Sequence, residues 1–227
     1  MDKELAKQLK RLLDRWESGQ PQARDPKPGC HRWLPTDADP SRLAPLPNWQ
    51  GPELAPLVGL EDEIRQLRAN TKAFVAGKHA NHAVLTGPRG CGKSTVMHGV
   101  AAEFKGKAAI VKVSCEHLAL LPLLAEALSK SKLRFLLLCD ELSFGAHDRG
   151  LLAAKSALDE LDGGQPPMLL YATSNRRRMV PESHADNQDG SDADELHPGE
   201  GAEEKVSFSD RFGLWLPFFT PEQEEYL

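Results

Sequence analysis

Hydrophobic and polar positions follow a regular pattern from position 57 onward. Short apolar runs alternate there with segments of helical periodicity, and five runs indicate buried strands: HAVLTG, AAIVKVS, RFLLLCDE, PMLLYATSN and GLWLPFF. Strands that alternate with helices are typical of a parallel sheet with helices on both faces. The pattern therefore predicts an α/β domain over residues 57–227, built as three layers (α/β/α) around a five-stranded parallel sheet.

The first 56 residues have a different pattern. Apolar residues on one helical face predict an amphipathic helix within residues 1–19: Leu5, Leu9, Leu12, Leu13 and Trp16. Such a face either packs on the body of the protein or on another copy, or docks a partner. Residues 20–56 are rich in proline, which is incompatible with a helix or a central strand. An extended arm is predicted there, and its tryptophans indicate that it lies against another surface.

A polar segment separates the fourth and fifth predicted strands. Residues 182–204 contain nine Asp or Glu residues and no Lys or Arg. High charge and low apolar content prevent such a segment from burying a core, so a mobile acidic loop is predicted.

Composition and charge restrict the classes of function. The chain has 227 residues, a formal net charge of -5 and a sequence pI of about 5.9, which argue against a broad surface for nucleic acid or anionic membrane. Its apolar runs are shorter than the roughly 20 residues that span a bilayer. The N-terminus is charged throughout and lacks the apolar core of a signal peptide. A cytoplasmic protein without a membrane span is predicted.

The stretch GPRGCGKS matches the phosphate-binding pattern G-x-x-x-x-G-K-[ST], directly after a predicted strand and at the start of a helix. Glycines let backbone N–H groups converge on phosphates, and the helix adds its positive dipole end. Lys93 is expected to contact the terminal phosphates, and Ser94 to bind Mg²⁺. The expected nucleotide-binding residues are therefore Gly87, Pro88, Arg89, Gly90, Cys91, Gly92, Lys93, Ser94 and Thr95.

Polar residues end two further predicted strands. Asp140 follows RFLLLC at the carboxyl edge of the sheet, where open α/β folds bind ligands, and is expected to hold Mg²⁺. Glu141 is then positioned to orient and deprotonate a water molecule. Asn175 is the first candidate to hydrogen-bond that water or a γ-phosphate, with Thr173 and Ser174 as local alternatives. Ser and Asn also commonly end strands, so turn chemistry is the other interpretation.

The motifs GPRGCGKST, FLLLCDE, YATSN and SDRFG, in this order, resemble the core of AAA+ ATPases. LVGLEDEI is similar to the segment that lines the adenine pocket in that superfamily, which implies that Val58 and Gly59 contact the nucleotide. The stretches LCDELSF, YATSNRRRMVPE, HPGEGAEEKVSFSDRFGLWLPF and QEEYL resemble more narrowly a bacterial group of AAA+-type ATPases, domain-of-unknown-function family 815.

The resemblance implies a role for each motif. The phosphate loop would be followed by a second motif at Asp140 and Glu141, a polar sensor at Asn175 and an arginine finger at Arg211. Arg211 precedes the fifth predicted strand and so lies at the opposite edge of the sheet, which favours a partner in the next subunit over an ion pair with Asp210 or the acidic loop. AAA+ proteins usually continue into a helical lid, which we expect to be absent or truncated here.

The resulting hypothesis is an ATP-binding AAA+ module that hydrolyses ATP with Mg²⁺ in a homo-oligomer and remodels an unknown protein partner. The alternative is a nucleotide-dependent switch with little intrinsic hydrolysis. A nucleic-acid remodeller of the clamp-loader kind is disfavoured by the acidic charge. A phosphotransferase to a small acceptor is the weakest interpretation, because no acceptor pocket can be traced in the sequence.

Overall fold

The structure, a computed structural model, describes residues 26–37, 39–142, 149–161, 166–175 and 210–219, without the side chains of residues 149–153. The helix predicted within residues 1–19 and the acidic loop predicted at residues 182–204 lie outside these ranges. No helix in the described ranges is long and apolar enough to cross a membrane.

The described residues contain seven strands that join in one sheet. In chain order they are β1 (Gly29–Trp33), β2 (Leu43–Pro45), β3 (Ala83–Thr86), β4 (Ala109–Val113), β5 (Phe135–Cys139), β6 (Met168–Ser174) and β7 (Leu214–Pro217). Their order across the sheet is β2-β1-β4-β5-β6-β3-β7, and only the β1–β2 pairing is antiparallel. The five predicted strands are β3 to β7, and all of them run parallel, as predicted.

The other two strands come from the proline-rich arm. β1 lies between β2 and β4, with Cys30 paired to Ile110, so the prediction that the arm contains no central strand was wrong. The physical reason is the spacing of the prolines: they flank Gly29–Trp33 and do not interrupt it. Trp33 is almost fully buried, in agreement with the expectation that the arm lies against another surface.

Helices cover both faces of the sheet, as the predicted three layers require. They are α1 (Glu61–Val75), α2 (Lys93–Glu103), α3 (Leu121–Ala127) and α4 (Arg149–Leu161), with a 3-10 helix at Cys115–Leu120. α1 and α2 pack in one hydrophobic cluster, and the 3-10 helix, α3 and α4 pack in another. Alternate residues of β4 and β5 point into the two clusters, so both faces of the central strands are buried.

The parallel register decides where functional residues meet. Thr86 at the end of β3 pairs with Ser174 at the end of β6, and Val113 at the end of β4 pairs with Cys139 at the end of β5. The segments that follow β3, β5 and β6 therefore emerge at the same carboxyl edge of the sheet. β7 starts beside the start of β3, so the residues that precede Leu214 lie at the opposite edge.

Candidate functional site

The phosphate loop connects β3 to α2 and is fixed at its first glycine. The Gly87 N–H donates to the Ser174 carbonyl at 3.2 Å, which ties the loop to the end of β6. Gly87 has a φ of +146°, and a Cβ there would lie 2.2 Å from the Phe218 carbonyl oxygen. Glycine is required at this position because both the backbone angle and the close approach exclude a side chain.

The end of the loop is the N-cap of α2. Gly92 has a φ of +90° in the left-handed region, and a Cβ there would lie 2.9 Å from Leu60 Cδ1. Leu60 therefore brings the segment before α1 next to the phosphate loop. Val58 in that segment is 67% exposed, and Gly59 is exposed beside it. Both expected adenine contacts thus lie on an accessible surface near the loop.

Other loop residues differ in exposure. Arg89 and Gly90 are exposed at the tip of the loop, and Pro88 and Thr95 are half-buried. Cys91 is buried, and its thiol donates to the Pro88 carbonyl at 2.8 Å. The loop therefore presents its backbone and Arg89 outward, while the cysteine fills its interior.

Lys93 lies inside the loop although it carries a positive charge. Its side chain is buried, and Nζ donates to the Gly87 carbonyl at 2.7 Å and to the Pro88 carbonyl at 2.5 Å. Buried ammonium groups require hydrogen-bond acceptors, and these two backbone oxygens supply them. The sequence has thus placed a cation within a turn of glycines at the start of a helix, which together form an anion-binding concavity.

Asp140, directly after β5, lies beside two residues of α2. The His98 Nε2 atom is 2.6 Å from Asp140 Oδ2. Burial opposes ionisation of Asp140, but hydrogen bonds from His98 and Ser94, together with the positive charge of Lys112, hold its pKa below the ordinary value. A carboxylate therefore stands next to the Ser94 hydroxyl at neutral pH, as expected for the predicted magnesium ligands.

Glu141 has an unusual backbone conformation. Its φ is +57°, the only positive φ of a non-glycine residue among those described, and its side chain is exposed. The Glu141 N–H donates to Thr173 Oγ1 at 3.0 Å, and the Leu142 N–H donates to the Thr173 carbonyl at 2.6 Å. A left-handed backbone conformation costs a non-glycine residue about 1–2 kcal/mol. The two hydrogen bonds to Thr173 on β6 hold this turn in place.

Asn175 is exposed where β6 ends. It follows Ser174, whose carbonyl accepts the Gly87 N–H, so its backbone lies beside the start of the phosphate loop. Thr173, one of the alternatives to Asn175, is instead buried and engaged with the turn at Glu141. Of the candidates on this strand, Asn175 is the one whose side chain is accessible to a ligand.

Arg211 lies apart from the other candidate residues, at the amino edge of the sheet. Its Nη2 atom donates to Asp159 Oδ2 at 3.0 Å, and Nε contacts Asp159 Oδ1. Among the described residues, the partner of Arg211 is thus Asp159 on α4 and not Asp210, whereas the acidic loop lies outside the described ranges. The ion pair is partly exposed, with the Arg211 side chain 31% accessible.

The residues at the carboxyl edge fit a nucleotide and Mg²⁺. Glycines of positive φ and the N-terminus of α2 form the cradle, and Lys93 provides the charge that matches phosphate. The Asp140 carboxylate and the Ser94 hydroxyl are oxygen donors, the ligand class of Mg²⁺, which usually takes one or two carboxylates and completes its shell with phosphate and water.

His98 was missed from the sequence, and Thr173 was considered only as an alternative to Asn175. His98 contacts Asp140, and Thr173 organises the turn at Glu141. A signal for His98 existed: it follows Ser94 by four residues, so both side chains share one face of α2. The role of Thr173 had no such signal, because its partner Glu141 lies 32 residues earlier, in the turn after β5.

Comparisons with known proteins agree with this architecture. A family described as "Protein of unknown function (DUF815)" matches residues 29–227. No curated protein sequence matches the chain. The Aeropyrum pernix Orc1 protein in complex with DNA is similar in structure, with a TM-score of 0.50 and 16% identity over 74% of this chain and 47% of that one. At this identity the similarity concerns the fold alone.

Two further solved structures are similar at lower TM-scores. The Thermotoga maritima RuvB Holliday junction branch migration motor gives 0.45, with 20% identity over 76% of this chain and 49% of that one. C. elegans PCH-2 gives 0.47, with 15% identity over 72% of this chain and 43% of that one. The chain thus spans about half the length of the solved structures that it resembles.

Proposed function

The chain belongs to the DUF815 family and has the AAA+ P-loop fold, and on that basis we propose that it binds ATP and hydrolyses it with Mg²⁺ in a homo-oligomer. One observation carries the proposal: a glycine loop with a buried lysine lies at the same sheet edge as the adjacent Ser94 and Asp140. Phosphate and metal ligands within one site are what a nucleoside triphosphate requires.

Binding of the triphosphate would use the loop and the start of α2. Backbone N–H groups from Arg89 to Gly92 would face the phosphates, and Lys93 would exchange its carbonyl acceptors for phosphate oxygens. Ser94 and Asp140 would hold Mg²⁺, which neutralises charge on the β- and γ-phosphates when bound. Val58 and Gly59 offer the accessible surface for the base.

Hydrolysis would use the exposed side chains at the same edge. Glu141 accepts a proton from the attacking water, a contribution of about 10²–10⁴-fold in such reactions. The constrained backbone at Glu141 and its hydrogen bond to Thr173 fix the position from which the Glu141 side chain extends. Asn175 at the end of β6 orients the water or a γ-phosphate oxygen.

In the proposed oligomer, a neighbouring subunit supplies a further positive charge for the γ-phosphate. Arg211 is at the amino edge and the phosphate loop at the carboxyl edge of the sheet, so we assign Arg211 to the site of a neighbouring subunit. An arginine of this kind contributes about 10³–10⁵-fold to turnover. A dilute monomer should therefore bind ATP but hydrolyse it slowly.

ATP affinity and turnover as a function of protein concentration test the proposal. Lys93→Ala should weaken ATP binding at least about tenfold, because a hydrogen bond to a charged group contributes about 1.5–3 kcal/mol. Lys107→Ala is the matched control, since Lys107 is an exposed lysine just after α2. Equal affinity of the two variants, or wild-type turnover that is independent of concentration, would contradict the proposal.

A nucleotide-dependent switch is the second candidate. The observation that favours it is the Arg211–Asp159 ion pair, which engages the expected arginine finger within its own chain. A switch binds ATP and recruits a partner without turnover. The Glu141→Gln variant separates the two functions, because a switch keeps its partner response and a hydrolase loses its product formation.

The partner class is also a proposal. We assign a protein client, and the acidic charge disfavours nucleic acid. The similar Orc1 structure contains DNA, so DNA is the competing partner. Fluorescence anisotropy with labelled single- and double-stranded DNA at low salt distinguishes them: binding below about 1 μM that falls steeply with salt would support DNA.

A further inference from the structure

The imidazole of His98 connects the proposed metal site to the proline-rich arm. On one side, its Nε2 atom is 2.6 Å from Asp140 Oδ2. The side chain of His98 is only 12% exposed, whereas that of Asp140 is 43% exposed. The carboxylate thus opens to the site, while the ring behind it is enclosed by protein.

The proton on this ring can be assigned. A carboxylate oxygen only accepts hydrogen bonds, so Nε2 must be the donor. Nδ1 is buried and has no hydrogen-bond partner among the described residues, so a proton there would be without an acceptor. The ring therefore acts as a fixed donor to one oxygen of Asp140. The other oxygen lies 3.5 Å from the Thr173 hydroxyl.

The His98 ring also contacts the indole ring of Trp49. The two rings meet edge to face, with centroids 6.3 Å apart and planes at 68°. Lys112 Nζ lies 5.6 Å from the centre of the Trp49 ring. Trp49 is thus confined between α2 and β4, and its position limits the rotation of His98.

The arm around Trp49 is pressed directly onto α2. A Cβ on Gly51 would lie 2.3 Å from Ala102 Cβ and 2.7 Å from the His98 carbonyl oxygen. A Cβ on Gly99 would lie 2.4 Å from Leu54 Cδ2. Two glycines, one on each segment, therefore permit a close contact that places Trp49 against His98.

We infer that His98 is a positioning residue for the metal ligand Asp140, and that Trp49 of the arm fixes the His98 ring. This inference rests on the proposed function, since it concerns the Mg²⁺ of that site. Hydrogen bonds to metal ligands orient them, and their loss typically lowers metal affinity by 10–100-fold. The segment from Leu46 to Leu54 is accordingly part of the nucleotide site.

Two variants of His98 test the assignment. His98→Gln keeps an N–H donor near the position of Nε2, and His98→Asn withdraws it. ADP affinity is measured in EDTA and across a Mg²⁺ titration. The quantity compared between variants is the Mg²⁺ concentration at which half of the Mg²⁺-dependent gain in ADP affinity is reached. His98→Asn should raise the required Mg²⁺ about 10–100-fold, with ADP affinity in EDTA unchanged. His98→Gln should restore most of the wild-type behaviour.

The arm is tested in the same assay. Trp49→Leu should raise the Mg²⁺ requirement several-fold, and Trp49→Phe, which retains an aromatic edge, should raise it less. Gln50→Ala, on the same segment as Trp49, is the control. It removes only the hydrogen bond that the Gln50 side chain accepts from Lys105. Thermal melting of each variant establishes that it is folded.

The outcomes separate this inference from the proposed function. If wild-type protein binds ADP with a clear Mg²⁺ dependence and His98→Asn has the same Mg²⁺ requirement, the inference alone is wrong. An equal loss of ADP affinity in EDTA and in Mg²⁺ would also overturn it, since that pattern indicates a general structural effect. Absence of nucleotide binding by the wild type would overturn both proposals.

Discussion

The two edges of the sheet differ in how completely one chain organises them. At the carboxyl edge, hydrogen bonds join the phosphate loop to β6, the turn at Glu141 to Thr173, and Asp140 to α2. At the amino edge, Arg211 has a partly exposed ion pair with Asp159. The carboxyl edge is thus preorganised by the chain itself, whereas the proposed role of the amino edge depends on another subunit.

The largest expected effect comes from the amino edge. Arg211→Ala should lower turnover at high protein concentration by about 10³–10⁵-fold, because the arginine stabilises charge only in the transition state. ATP affinity should be unchanged. Steady-state ATPase assays across a protein dilution series measure turnover, and equilibrium binding of ATP measures affinity.

Arg65→Ala is the matched control for that experiment, since Arg65 forms an exposed ion pair with Asp62 on α1. A loss of ATP affinity in the Arg211 variant would show that Arg211 acts on its own site. The proposed dependence of the amino edge on another subunit would then be wrong.

Glu141→Gln tests the carboxyl edge. It should lower turnover about 10²–10⁴-fold at every protein concentration, because a carboxamide does not accept the proton of the attacking water. ATP affinity should be retained, and phosphate release is the measurement. Glu126→Gln on α3 is the control, as Glu126 is an exposed glutamate on a different helix. Unchanged phosphate release would remove Glu141 from the proposed mechanism.

Thr173→Val asks whether the carboxyl edge is truly preorganised. The variant leaves the Glu141 N–H without its acceptor, which should lower the free energy of unfolding by about 1–3 kcal/mol. Turnover should fall as the Glu141 backbone loses its tie. Chemical denaturation measures the first effect, and Thr173→Ser, which keeps the hydroxyl, should behave like the wild type. Equal stability of the Val and Ser variants would refute the role of this hydrogen bond.

The smallest effect is expected for Asp159→Asn. An exposed ion pair contributes at most about 1 kcal/mol, so release of Arg211 should shift the protein concentration for half-maximal turnover by no more than about fivefold, toward lower values. Sedimentation and ATPase assays over the same concentrations measure the shift. A shift toward higher concentrations would indicate that Asp159 presents Arg211 to the neighbouring subunit.

The features that the sequence predicted are local in the chain. The phosphate loop, its helix and the acids after β5 occupy short stretches whose residue types have direct geometric consequences, and hydrophobic periodicity indicated β3 to β7 correctly. The α/β layers and the expected location of Asp140 beside Ser94 followed from these stretches.

The features that it did not predict join distant positions. Insertion of β1 beside β4 pairs Cys30 with Ile110, and no local pattern encodes that choice. His98 meets Asp140 across 42 residues, and Arg211 meets Asp159 across 52. The last two contacts depend on how a helix packs on the sheet, which is decided by tertiary structure and not by periodicity.

The position of β1 has a consequence for any shortened form of this protein. β1 covers one edge of β4 and pairs with its backbone N–H and C=O groups. Trp33 of β1 also contributes to one of the two hydrophobic clusters. A fragment that starts at Leu57, where the nucleotide motifs start, would expose that edge of β4. Unpaired edges of buried strands recruit other chains, so we expect such a fragment to aggregate, and one that starts before Gly29 to stay in solution.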